Sequence, residues 1–240
     1  MTAYNLSFRN NIVPVTAEDP NCVHEIMKTE LIQNWLKNID ESMFLKSIHI
    51  QSYLKNEDGS FYTIKLDTVF MRDSTRIPRI IVLHGPGVLF LLRVTNSKTK
   101  MNYFLYTEKP RIATGTFQKE APIFHTFGPN PDFVFAANSI KNTFGIEIDN
   151  SQIVDLLKET RKDESDGVNP FDRPSDQRIR IYYTEIEMND DEIHKIDGKE
   201  IKPNTFIRFV PVENAGQVAP DDKNMAALLM YRIYKNTISH

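Results

Sequence analysis

Cysteine is nearly missing from this chain. The single Cys22 excludes an internal disulfide and a Cys-based zinc site, which makes a reducing compartment the simple reading. Long apolar runs are also lacking. The longest, residues 77–94, is interrupted by Pro78, Arg79, His84 and Pro86, so nothing approaches the ~18 residues of a membrane span. An excess of positive charge is absent too: the net charge is -3. With no basic stripe carrying interleaved aromatics, nucleic acid is not an expected partner. The first twenty residues hold one base, Arg9, together with Glu18 and Asp19, a poor presequence and a poor signal peptide. Cytoplasm is the default expectation, with a mitochondrial or cytoskeletal assembly left open.

Familiar catalytic patterns are wanting as well. His24, His49, His84, His125, His194 and His240 form no i,i+4 pair and no HxH, so a metal site built on them is not expected. There is no GxSxG elbow, and Cys22 has no evident His partner. HGPGV (84–88) lacks both the Lys-Ser/Thr of a phosphate-binding loop and the third Gly of a dinucleotide fingerprint, and reads as a turn between strands. The acidic pairs Asp190-Asp191 and Asp221-Asp222 fit turns or helix starts, where the helix dipole and capping account for them.

What is present describes an ordinary globular protein: 240 residues, 40% apolar and 25% charged, enough for one large domain or a domain with an extension. Residues 1–22 show no clean periodicity and read as an extended arm. From His24 to Ile39, Ile32, Trp35, Leu36 and Ile39 repeat at helical spacing. FLKSIHIQSYL, the NEDG turn (56–59) and FYTIKLDTVFM make a hairpin. The run through 77–94 holds two strands split at Gly85-Pro86-Gly87, and MNYFLYTEK answers them after NSKTK (96–100).

SQIVDLLKETRK reads as a helix with Ser151 as its N-cap, residues 162–177 as a surface loop, and RIRIYYTEIEM and NTFIRFVPV as strands. KNMAALLMYRIYKN closes the chain as a helix. The pattern predicts α+β, with 1–22 an arm, 23–78 an N-terminal helix plus a small antiparallel β section, and 79–240 a mixed domain.

One stretch raises a question of chemistry. DFVFAANSIKNTFGIEID (132–149) runs like a helix and stops at Gly145, yet the helix itself carries no carboxylate. Asn138, Ser139, Asn142 and Thr143 stand where charge would be expected, and only Lys141 is ionised.

From Leu31 onward, ordered short motifs resemble a Nudix hydrolase of the ADP-sugar diphosphatase type, nearest to the plant nucleoside-diphosphate-sugar branch. QNWLKNID (33–40) resembles the N-terminal helix of that branch, and IPRIIVLHGPGVLFLLRV (77–94) its strand pair. YTEKPRIATG (106–115), Glu120 with Pro122, DGKE (197–200), FIRFVPV (206–212) and the last helix find counterparts in order. The resemblance implies a Nudix fold: a mixed β-sheet sandwiched by α-helices, with an N-terminal helix and a small antiparallel section.

The family motif is G-x5-E-x7-R-E-U-x-E-E-x-G-U, with U apolar. Anchored on Gly145 and Ile146, its R-E-U-x-E-E segment becomes Asn138-Ser139-Ile140-Lys141-Asn142-Thr143. Phe124 replaces the opening Gly, the loop Glu falls at Asn130, and the later acidic triplet reads Asp176-Gln177-Arg178. Only the apolar and closing positions persist. Arg111, Glu120 and Asp176 remain as residual ligand-binding candidates.

In the family, water attacks a diphosphate while Mg²⁺ neutralises the developing charge, and Mg²⁺ requires oxygen ligands, usually carboxylates. At roughly 3 kcal/mol per lost electrostatic contact, removing several abolishes most of the rate enhancement. The expectation is therefore a pseudoenzyme with no catalytic residues, no metal and no cofactor, serving as a structural or interaction subunit. Its partners would be subunits of a larger complex, or a second copy through the N-terminal section. Two alternatives stand beside it. One is a Mg²⁺-dependent ADP-sugar or ADP-ribose diphosphatase with displaced ligands such as Glu120, Glu147 and Asp176. The other is a non-hydrolysing nucleotide-sugar binder, with Arg111 and the aromatics Phe124, Phe127 and Phe135 as its contacts.

Overall fold

The computed structural model describes residues 4–56, 58–112, 114–126, 132–161, 167 and 175–238. The chain divides into two compact units. The first runs to Pro86 and adds His125, Thr126 and residues 175–178; the second holds the remaining described residues from Gly87. The boundary expected at residue 78 thus moves to Pro86, because the strand Thr75–Leu83 pairs along its whole length with its predecessor.

The first unit is a five-stranded sheet. Residues 1–22, read as an arm, contribute β1 (Tyr4–Phe8) and β2 (Asn11–Ala17), which pair antiparallel. Arg9 and Asn10 make the turn at φ 47° and 63°, the positive-φ pair that suits the twist of a two-residue hairpin. Alternate residues Val13 and Val15 are buried, a short period-2 signal that ends too soon to be read from sequence.

Two helices follow, α1 (Val23–Met27) and α2 (Glu30–Lys37). The single helix expected over 24–39 breaks at Thr29, whose hydroxyl donates to the Ile26 carbonyl at 2.7 Å and accepts from the Ile32 amide at 3.3 Å. This is an N-cap that starts a new helix. From the predicted stripe, Ile32, Leu36 and Ile39 are buried, while Trp35 is half-buried with its ring edge-on to Phe70. β3 (Phe44–Lys55) then runs parallel to β2 and antiparallel to β4 (Phe61–Arg72), the predicted hairpin, and β5 (Thr75–Leu83) completes the sheet. Ile26, Ile32, Ile48, Ile50, Ile64 and Leu66 form the centre of its core.

The second unit begins with β6 (Gly87–Asn96), β7 (Asn102–Arg111), β8 (Thr116–Glu120) and the start of β9 (Ile123–His125), whose last residue falls in the first unit. There follow α3 (Phe133–Phe144), β10 (Val154–Asp155), α4 (Leu156–Arg161), β11 (Ile179–Met188) and α5 (Asp190–Ile196). The last elements are β12 (Glu200–Lys202), β13 (Thr205–Pro211), α6 (Ala215–Val218) and α7 (Asp222–Ile238).

The sheet order is β10-β11-β6-β7-β13-β12, with β8 on β7 and β9 on β6. β6 and β11 are parallel from Gly87↔Ile179 to Asn96↔Met188, while β7 pairs antiparallel with β13. A strand buried on both faces must be apolar, and β6 is from Gly87 to Leu92. Leu89 and Leu91 enter one core with Phe104, Tyr106, Ala227 and Leu228; Val88, Phe90 and Leu92 enter another with Ala136, Ile140, Phe144 and Ile193. The mixed sheet therefore lies between α7 on one face and α3 with α5 on the other.

One local expectation changes. Ser151 does not cap a helix; Asp155 does, accepting from the Leu157 and Lys158 amides at 3.1 and 3.2 Å. The acid pair at 190–191 begins a full helix, α5, closed by a capping box between Asn189 and Glu192. Most of the loop read over 162–177 lies outside the described residues.

Candidate functional site

Three groups of residues bear on chemistry. The first is α3. Asp132 caps it by accepting from the Phe135 amide at 2.8 Å, and Gly145, at φ 72°, ends it by donating to the Lys141 carbonyl at 2.9 Å. Positive φ is what glycine permits, so the helix stops there. Ala136, Ala137, Ile140 and Phe144 recur at helical spacing and are buried. Asn138, Lys141 and Asn142 point to solvent; Ser139 and Thr143 are half-buried.

Ser139 donates its hydroxyl back to the Phe135 carbonyl at 2.8 Å. Lys141 pairs with Glu147 at 2.7 Å, and this contact holds the Glu147 carboxyl below its ordinary range. Phe124 packs against α3, its ring edge-on to Phe144 with centroids 6.4 Å apart. Asn130 and Phe127 lie outside the described residues.

The donor set does not fit a Mg²⁺ ion. The outward face of α3 offers only neutral oxygens beside the cationic Lys141, and Mg²⁺ is held mainly by carboxylates. Among the described residues no group of three or more His, Cys, Asp or Glu is placed to hold a metal.

The second group surrounds Glu120, at the end of β8 and only 2% exposed. Arg111 donates Nε and Nη2 to its two carboxylate oxygens, and Lys109 Nζ stands 3.3 Å from Oε2. Lys109 and Arg111 alternate along β7 and so share a face. Lys223, near the start of α7, adds a third positive charge to this surrounding. Burial pushes the Glu120 carboxyl up, but the Arg111 hydrogen bonds and the charges of Lys109, Arg111 and Lys223 outweigh it, leaving it below the ordinary range. Burial lowers Lys223, opposed by the charges of Glu120 and Asp221. Asn224 closes the floor by accepting from the Ala121 amide at 2.8 Å.

Asp176 belongs to the first unit, where it serves the HGPG turn. Its carboxylate accepts from the His84 amide at 2.7 Å and from the Gly85 amide. Gly85 sits at φ 71°, and a Cβ there would lie 2.8 Å from Leu31 Cδ2. Thr63 Oγ1 is 3.1 Å from His84 Nδ1, Gln177 Nε2 is 3.0 Å from His125 Nδ1, and the Tyr62 ring meets both imidazoles edge-on. Burial raises the Asp176 carboxyl and lowers the His84 imidazole.

The sequence candidates thus sort into separate settings. Arg111 and Glu120 are joined by an ion pair across β7 and β8, although the register sets Arg111 opposite Thr116 and Glu120 opposite Thr107. Asp176 works as an acceptor for a turn, Glu147 is taken by Lys141, and of the altered box positions Asn138, Ser139, Asn142 and Thr143 lie on α3 with Phe124 packed against it. Sequence reasoning missed Lys109 and Lys223. Lys109 had a legible signal, two positions before Arg111 on one strand; Lys223 had none.

No family model matches the chain, and no curated protein matches it. A solved structure described as "Crystal structure of ADP compounds hydrolase" is similar to it, with 10% sequence identity over 82% of this chain and 96% of that one, at a TM-score of 0.52. At that identity the likeness concerns fold. The chain has the α+β Nudix fold, a mixed sheet between helical layers. Among the described residues no helix is long and apolar enough to cross a membrane.

Proposed function

We propose that this chain is a Nudix-fold protein without diphosphatase activity, acting as a structural or interaction subunit of a larger protein assembly. The observation that carries the reading is the state of Glu120. The carboxylate is buried, both oxygens are engaged by Arg111, and Lys109 stands beside one of them. To ligate a cation it would have to break charge-assisted hydrogen bonds and bring the cation among positive groups, both unfavourable. The outward residues of α3, Asn138, Ser139, Asn142 and Thr143, supply no replacement carboxylate.

The deciding experiment incubates purified chain with ADP-ribose or ADP-glucose and Mg²⁺ or Mn²⁺. No hydrolysis above buffer is expected. Turnover that vanishes in Glu120→Gln would overturn the proposal in favour of a diphosphatase with displaced ligands. Affinity purification of the native protein is expected to bring down the same partner subunits reproducibly, and a chain recovered alone would count against a subunit role.

Binding without turnover is a second reading. It is favoured by the three cations, Lys109, Arg111 and Lys223, gathered around one carboxylate, a setting able to attract an anion. Calorimetry with ADP-ribose tests it: no heat up to millimolar ligand eliminates a nucleotide-sugar binder.

A further inference from the structure

α7 has two faces of different character. Its inner face presents Asn224, Ala227 and Leu228, all buried, with Tyr231 and Tyr234 packed against the same core. Its outer face is not polar, as a solvent-facing helix side normally is. Met225, Leu229 and Ile233 are 48%, 60% and 43% exposed. They recur at every fourth residue and so form one continuous ridge. Asp222 flanks the ridge at its start and Arg232 lies along it further on, both exposed. Neither side chain makes a hydrogen bond or ion pair among the described residues.

The spacing of these groups is self-complementary. Met225 and Leu229 lie two residues either side of Ala227, and Asp222 and Arg232 lie five either side. Two such helices set antiparallel about a two-fold axis outside the outer face, level with Ala227 along the helix, would bring Met225 of each onto Leu229 of the other. The same operation puts each Asp222 beside the other copy's Arg232, two opposite-charge pairs for one apolar seam. An isologous interface has this property, whereas a partner of unrelated sequence would not require it.

We propose that the outer face of α7 is a homodimer interface, in which a second copy of this chain packs antiparallel through Met225 and Leu229 and is held in register by Asp222–Arg232 pairs. The proposal does not depend on whether the chain hydrolyses anything, so the turnover assay and the test below can fail independently. A single helix crossing falls at or under the lower end of the ~1,200–2,000 Å² buried by stable interfaces, so the dimer is expected to be weak.

Sedimentation velocity of the full chain from about 1 to several hundred micromolar is the test, since a weak interface populates dimer only near its dissociation constant. A concentration-dependent dimer is expected, and Leu229→Asp should abolish it. Asp222→Arg and Arg232→Asp, each alone, should weaken it by roughly tenfold, because each converts two attractions into two repulsions. The double variant should restore the original constant within about threefold, once circular dichroism shows each variant folded.

Monomer at every concentration overturns the proposal and leaves the ridge for a different protein. A dimer indifferent to Leu229→Asp overturns it too, and points to another surface such as the first unit. A double swap no better than either single one refutes the antiparallel register.

Discussion

Glu120→Gln is the most informative substitution. The wild-type carboxylate is 2% exposed and takes two N–H donors from Arg111, with Lys109 beside one oxygen. Removing one partner of a buried ion pair costs about 3–5 kcal/mol when the other is left stranded. Here the stranded cations are not sealed in: Lys109 and Arg111 side chains are 34% and 38% exposed. Water recovers part of the loss, so about 2–3 kcal/mol is the better figure. For a chain of this size that corresponds to roughly 5–10 °C in melting temperature. Because the chain has two units, the readout should be local: hydrogen exchange of the β7 and β8 amides, together with the urea midpoint at unchanged slope.

The same variant predicts a pH dependence. Glu120 has a folded pKa held below its unfolded value by Arg111, Lys109 and Lys223 against the opposing effect of burial. Its stabilisation is therefore fully present above the unfolded carboxylate value and is lost as pH falls through the folded one. The gap between wild type and Glu120→Gln should be constant near neutrality and shrink on acidification below about pH 4.5. A gap that stays the same down to pH 3, or a cost under about 0.5 kcal/mol at pH 7, would refute the reasoning. Glu120 would then not be committed to its ion pairs, and the argument that it is unavailable to a metal would fall with it.

Further expectations follow from the other two groups. Asp176→Asn should fall within about 0.5 kcal/mol of wild type at pH 7, since the amide oxygen still accepts from the His84 and Gly85 amides and burial already disfavours the charge. Asp176→Ala should cost about 2 kcal/mol for the unpaired amides, and equal damage from both variants in thermal melts would mean the charge itself matters. Gly145→Ala meets open space at φ 72° and should cost only about 1 kcal/mol in chemical denaturation. Gly85→Ala adds the 2.8 Å contact with Leu31 to its positive φ and should cost about 3 kcal/mol; equal costs would refute the steric reading. Mg²⁺ at ~10 mM should leave the melting temperature unchanged, because a ligand stabilises only the state that binds it, and a rise of several degrees would indicate a cation site.

Much of the architecture was legible because it rests on local periodicity. β6 shows an unbroken apolar run from Gly87 to Leu92, β11 an alternating one, and the hairpin of β3 and β4 two patterned segments around NEDG. α3 was visible down to its closing glycine. What escaped depends on side chains choosing between backbone partners. Thr29 breaks an otherwise continuous helical stripe, and Asp155, rather than Ser151, caps α4. Short capping residues are common in both roles, so composition does not decide. The role of Asp176 was illegible for another reason: its partner His84 lies 92 residues away. The three-cation setting of Glu120 was half legible, through the shared strand face of Lys109 and Arg111, while Lys223 arrives from a distant helix.

The two kinds of site residue also differ in what constrains them. On α3 the fold uses Ala136, Ala137, Ile140, Phe144 and Gly145, all directed to the core or to helix termination. The positions between them, Asn138 and Asn142 above all, face water and carry no packing. A residue there can be charged or neutral at a cost of about 0.5 kcal/mol or less, so the fold places no demand on the chemistry of that face. Glu120 is in the opposite position. Buried between β7 and α7, it cannot become neutral without stranding Arg111 and Lys109, whether or not it ever meets a substrate. A carboxylate at 120 is therefore explained by stability alone, and its presence does not argue for catalysis. The outward face of α3 is under no such structural demand, so its lack of carboxylates bears more directly on function.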